Sequence, residues 1–200
     1  MLARRGSSKE ESTMAASNLL RWAGLAALVG SVLIVLAEIV GFLGRVYGGT
    51  SSRGLFIFVA SLFVLGLALV LLGLVGLYAS QAQATGALGL IGFLLAFLGT
   101  TMAAGFYWAY VFVVPPFELT SAGLILSTSL WAVGWLILGA ATLRGRVYPR
   151  PATIVIMIGA AISAIPIPST EVVLMIAIAW LGYLLFKRRG SAAQTPPRVN

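Results

Sequence analysis

The sequence predicts an all-α integral membrane helical bundle of about six transmembrane helices, with the N-terminus and the C-terminus both cytoplasmic. Three observations carry that prediction. The first is composition: 60% of the 200 residues are apolar and 9% are charged, where soluble domains hold roughly 45–50% and about 25%. The second is the set of long apolar runs, since roughly 20 such residues cross about 30 Å of hydrocarbon. The third is where the charge sits. Of the 13 basic residues, all but Arg45 and Arg53 fall in alternate segments between the runs. These are Arg4, Arg5, Lys9 and Arg21, then Arg144, Arg146 and Arg150, then Lys187, Arg188, Arg189 and Arg198. Positive charge collects on the cytoplasmic side, so this alternation implies an even number of crossings with both ends inside.

Taken in order, residues 1–18 are polar, Ser-rich and without apolar periodicity, the pattern of a disordered cytoplasmic tail. A six-helix domain over 19–189 follows. Its first span, about 20–44, opens on Arg21-Trp22 and runs past a signal-peptidase-like Val35-Leu36-Ala37, so it reads as a span and not as a cleaved leader. The second, about 55–78, carries no charge. The third, about 84–114, is longer than the bilayer needs and should tilt or project. Pro115-Pro116 ends it, because proline lacks the N–H and clashes with the preceding turn. Phe106, Tyr107, Trp108 and Tyr110 have the make-up of an interfacial aromatic belt. The fourth span is about 120–143. The last apolar stretch divides at Pro166 and Pro168 into about 152–167 and 171–186, both short for a crossing. Basic flanks on both outer sides fit two short spans and equally a re-entrant hairpin. Two spans are favoured, because Tyr148 and a snorkelling Lys187 extend their reach. Residues 190–200 read as a second disordered tail.

Absent residue types narrow the chemistry. The chain has no Cys, no His and no Asp. Disulfides, a thiolate nucleophile, iron–sulfur ligation, an imidazole base, His-ligated metal or haem and Ser-His-Asp catalysis are therefore excluded. Lys9 and Lys187 lie at the ends, away from any site for a Lys-linked pigment. No cofactor, no metal and no enzymatic activity are expected. The net charge of +8 sits at the edges of apolar runs, where it sets topology, so no nucleic-acid partner is expected.

Glu38 is the acidic residue inside an apolar run, and an ionisable group there is a functional candidate by default. Either it pairs with Arg45 or Arg53 near the outer interface, or stays protonated there, or it handles a proton or cation. Arg45 lies two turns further along the same face, roughly 10 Å away. Ser127, Thr128 and Ser129 form a candidate polar path, although hydroxyls in a helix also bond to their own backbone. Glu118 and Glu171 read as carboxylates at helix starts, complementing the positive helix end, with Ser169 or Thr170 as an N-cap. Rows of small residues (Gly66, Gly73 and Gly76; Gly86, Gly89 and Gly92; Gly99 with Ala103; Ala160 with Ala164) suit close helix packing, within the chain or between copies. Trp131 with Trp135, and Trp180 with Tyr183, share helix faces and suit packing or an interfacial belt. The tetrapeptide Gly-Arg-Val-Tyr occurs at 44–47 and again at 145–148, a faint echo of an internal repeat.

The segments RWAGLAALVGSVL, GLYASQAQATGALGLIGFLLAFLGT, WLILGAATLRGRVYPRPA and AWLGYLLFKR together resemble a group of small, uncharacterised bacterial multi-pass membrane proteins of six spans. The resemblance runs from about Arg21 to Arg188 and implies a bacterial inner membrane. It carries no activity with it. The expected role is a structural or accessory subunit of a membrane assembly, or a lipid-interacting protein. Membrane lipids, other membrane subunits, or a second copy through small-residue faces are the expected partners. The alternative is a small-solute or proton permease or channel that uses Glu38.

Overall fold

The computed structural model describes residues 4–47, 53–113, 121–165 and 170–192, with side chains for these except 4–17, 45, 110–112, 121, 124 and 188–192. The described residues form six helices: α1 (Arg4–Tyr47), α2 (Arg53–Ala79), α3 (Ala82–Phe112), α4 (Ser121–Gly145), α5 (Arg150–Ser163) and α6 (Glu171–Ala192). No strand occurs among them. Four helical segments are long and apolar enough to cross a membrane: Asn18–Gly44, Arg53–Ala79, Ala82–Ala109 and Ile125–Gly145. Their outward faces are apolar too, with Leu65, Leu72, Ile125 and Ile176 each more than half exposed. A helix that is hydrophobic all round suits a lipid surround.

Two helix bounds differ from the sequence reading. α1 starts at Arg4 rather than near 20, so the polar stretch 4–18 is helical. Extending an existing helix fixes one residue per added hydrogen bond, whereas starting one is costly, and Arg4, Arg5, Lys9, Glu10, Glu11, Met14, Ala15 and Ala16 of this stretch are good helix formers. For the same reason α6 runs on through the basic cluster to Ala192. Glu118, Pro115-Pro116, Pro166, Pro168 and Ser169 lie outside the described residues.

The helices run up and down, each packed on the ones before and after it, and α6 closes the ring against α1. Small residues set these contacts. A Cβ on Gly30 of α1 would stand 2.6 Å from the Gly66 carbonyl oxygen of α2, and Gly73 and Gly76 meet Ala27 and Ala23. Gly92 and Gly99 of α3 abut the backbone of Leu138 and Trp131 in α4, and Gly24 of α1 abuts Gly182 of α6. The rows of small residues are thus used inside the chain. Gly86 has φ 56° and ψ −147° and kinks α3 near its start, a conformation that is essentially glycine-only. Leu67, Val70, Leu74, Trp135, Leu138, Ile178 and Leu181 fill the middle of the ring.

At the end of the bundle where α2 meets α3, polar groups tie the turns together. The Thr142 hydroxyl lies 2.7 Å from both Gln81 Oε1 and the Leu138 carbonyl. The Tyr148 hydroxyl lies 2.9 Å from that of Ser80, linking the α4–α5 connection to the α2–α3 turn. Tyr148 is 4% exposed while Tyr47 is 83% exposed. The repeated tetrapeptide therefore ends α1 in one place and forms a buried corner between α4 and α5 in the other.

Candidate functional site

The stripe that buries α1 includes Ala27, Ser31 and Ile34, and Glu38 follows one turn after Ile34. The stripe that buries α6 includes Leu174, Ile178, Leu181 and Leu185, and Glu171 precedes Leu174 by three residues. Residues three and four apart share a helix face, so both carboxylates belong to faces that turn toward other helices. Because α1 and α6 pack antiparallel, with Gly24 beside Gly182, the two glutamates come to the same level. Glu38 lies roughly 25 Å along α1 from Arg21, and Glu171 roughly 24 Å along α6 from Lys187, at 1.5 Å per residue. Glu171 thus heads its helix, as the sequence reading has it, but also stands beside Glu38.

Two cavities adjoin this pair. An outer groove of about 290 Å³ between α1 and α2 is lined by Ala37, Glu38, Gly41, Leu55, Phe56, Val59, Phe63 and Tyr107. An inner cavity of about 20 Å³ is lined by Ser127, Thr128, Trp131 and Glu171 together with Phe63 and Tyr107. Phe63 and Tyr107, which line both, stack at 4.4 Å with 27° between their ring planes and stand between the two carboxylates' cavities. Trp131 is 5% exposed, and its indole N–H has no hydrogen-bond partner. The inner cavity is large enough for a single water. What gathers here is two carboxylates, two hydroxyls, one free indole donor and an aromatic partition.

The polar path read from the sequence divides. Ser127 is buried and Thr128 half-buried, and both line the inner cavity, whereas Ser129 is exposed on the other side of α4. Arg53 is exposed at the start of α2. That start is level with the end of α1, since Gly44 meets Leu55, so Arg53 lies more than two turns from the level of Glu38. The side chain of Arg45 is outside those described. Sequence reasoning missed Glu171, Tyr107 and Trp131 as members of one site. Their helical phase was available, because Tyr107 follows Ala103 and Trp131 follows Ser127 by four residues, but the pairing of α3 with α4 and of α1 with α6 was not.

Trp131 and Trp135 meet edge to face at 6.3 Å, buried in the core rather than in a belt. At the opposite end a cavity of about 10 Å³ touches Gln81, Thr142, Thr153 and Trp135, whose indole N–H is also without a partner. The apolar centre of the ring lies between the two small cavities. At that same end the Arg21 guanidinium sits 5.0 Å over the Phe186 ring, beside a groove of about 320 Å³ bounded by Asn18, Trp22 and Leu25. A larger apolar groove of about 460 Å³ lies on the other side of Trp22, between α1 and α2. No protein-family model matches this chain, and no curated protein or solved structure does either.

Proposed function

We propose that the chain is a six-span protein of the bacterial inner membrane, with both termini cytoplasmic, that serves as an accessory or lipid-holding component of a membrane assembly. The observation that supports this reading most is the contrast between inside and outside. Among the described residues, the cavities of about 10 and 20 Å³ between the helices are far smaller than the grooves of about 320 and 460 Å³ that flank Trp22. Acyl chains fill grooves of that kind, and Arg21, which lines the one of about 320 Å³, suits a lipid phosphate. In the six-span reading α5 and α6 are the short members. The 14 residues of α5 reach roughly 21 Å, so the bilayer would thin or flanking groups snorkel there.

Native mass spectrometry of the chain released from membranes tests this role. Retained phospholipid or a stoichiometric partner is expected, and a bare monomer under gentle release would refute it. The threading has its own test, helped by the absence of native cysteine. A cysteine at Ser51 should react with an impermeant maleimide in intact cells, and one at Ser191 only after lysis. The reverse pattern would overturn the orientation.

A second reading, a proton or small-solute permease using Glu38, is favoured by the approach of Glu171, since paired acids are common in proton relays. Flux into liposomes holding the chain alone, abolished by Glu38→Gln, would support it over the first.

A further inference from the structure

We propose that the two grooves astride Trp22 seat one diacyl anionic phospholipid of the phosphatidylglycerol kind, its phosphate on Arg21 and one chain to either side of the indole. This rests on the lipid-holding reading above and names the lipid class that reading leaves open.

Asn18, Arg21, Trp22 and Leu25 line the groove of about 320 Å³ together with Phe186 of α6, and residues three and four apart share a helix face. Along that face the chemistry changes within two turns. An amide comes first, then a guanidinium and an indole, then an alkyl side chain, over roughly 10 Å of helix axis. A phospholipid changes in the same order, from headgroup through phosphate to acyl chain. Val29, Val32 and Leu36 continue the track, each of them exposed. Trp22 also lines the groove of about 460 Å³ on its α2 side, which is otherwise lined by Leu, Val, Ala and Gly alone. At 69% exposure the indole stands as a ridge between the two. A headgroup at Arg21 therefore has an apolar channel on each side of one ring, which suits two chains from a single glycerol.

Charge then selects the headgroup. The Arg21 guanidinium sits 5.0 Å over the Phe186 ring, and no carboxylate pairs with it among the described residues. Lys187 follows Phe186, its ammonium 6.0 Å from the Tyr183 ring, and Arg188 and Arg189 come next in α6. The acids of α1 nearest Arg21 on either side, Glu11 and Glu38, lie roughly 15 and 25 Å away along the axis. A guanidinium offers several N–H groups to one phosphate. A phosphodiester with an uncharged glycerol head gains from every basic group nearby. An ethanolamine head brings its own cation against Lys187 and loses that gain.

The test is native mass spectrometry of the full chain in non-ionic detergent, with equal amounts of phosphatidylglycerol and phosphatidylethanolamine of identical chains. The phosphatidylglycerol adduct should exceed the other by about fivefold or more, the effect of one basic side chain on an anionic lipid. Arg21→Gln should bring the two adducts close to parity, with elution volume and helical circular dichroism unchanged. Should that variant misfold, Lys187→Gln takes its place and should lower the ratio by about half or more. Ala26→Phe fills the groove on the α2 side and leaves Arg21 in place, so total diacyl adduct should fall several-fold while the ratio holds. Equal adducts on the native chain, a ratio unmoved by both charge substitutions, or a total unmoved by Ala26→Phe would overturn the proposal and leave the lipid-holding reading standing. A chain that takes up neither phospholipid, and retains none on release from the membrane, would remove that reading with it.

Discussion

Replacing Thr142 by valine removes one hydroxyl from the buried contact between α4 and the α2–α3 turn while keeping the side chain's shape. Gln81 is 3% exposed, and its Oε1 receives the Thr142 hydroxyl at 2.7 Å. Without that donor the amide oxygen is orphaned, and an unsatisfied buried acceptor costs about 1–3 kcal/mol. Two features pull the value down. The adjoining cavity of about 10 Å³ can admit one water to the orphaned oxygen, and hydrogen bonds between membrane helices average nearer 0.6 kcal/mol. A loss of about 1 kcal/mol is expected, which for a chain of this size is roughly 2–4 °C in Tm. The reverse substitution behaves differently. In Gln81→Leu the Thr142 hydroxyl keeps an acceptor in the Leu138 carbonyl, also at 2.7 Å, so the cost should be smaller. The double variant should then be no worse than Thr142→Val alone, because the orphaned oxygen has gone. The assay is reversible unfolding in mixed micelles with rising dodecyl sulfate, followed by tryptophan fluorescence. Trp135 lines the same cavity and reports on it directly. Strict additivity of the two substitutions, or a Gln81→Leu cost above that of Thr142→Val, would refute the reasoning.

Other outcomes follow from the packing. Gly30→Val places carbon against the Gly66 carbonyl and α2 backbone, so α1 and α2 must part; overpacking of this sort costs about 1–3 kcal/mol or more, read in the same unfolding assay. Gly86→Ala meets no neighbouring atom but must hold φ at 56°, and should lose about 1–3 kcal/mol from backbone strain alone. Tyr148→Phe removes the 2.9 Å contact with Ser80 and should cost about 1 kcal/mol or less, with faster backbone hydrogen exchange confined to the α2–α3 turn and the 146–149 connection. Phe63→Ala joins the groove at Glu38 to the cavity at Glu171, and should raise the accessibility of Trp131 to acrylamide, read as stronger quenching of its fluorescence.

Much of this architecture is legible along the chain, and the reason is local. In lipid the backbone must satisfy its own hydrogen bonds, so an apolar run of sufficient length becomes a helix whatever surrounds it. Residues 55–78 and 84–114 could hardly be read otherwise, and α2 and α3 fall within a few residues of those limits. Turn chemistry is equally local: Pro149 and Pro151 open α5 where proline is tolerated. The misreadings have a local cause too. Residues 4–18 lack periodicity, yet helix extends through them once 19–47 supplies the nucleus.

The candidate site was only half visible. Glu38 announces itself, because a carboxylate amid apolar residues is conspicuous in one dimension. Glu171 does not, since at a helix start after a proline segment an acid is already explained by the helix dipole. The sequence by itself determined the helices, their apolar character and the acid set within an apolar run, because each follows from hydration and backbone bonding within a single segment. Only the tertiary structure decided that α6 closes against α1, that Glu171 comes level with Glu38, and that Phe63 and Tyr107 stand between them. Those pairings depend on which small residues of distant segments meet, such as Gly24 with Gly182 and Gly99 with Trp131. Close approach of two helices is a property of both surfaces together, which no single apolar run contains.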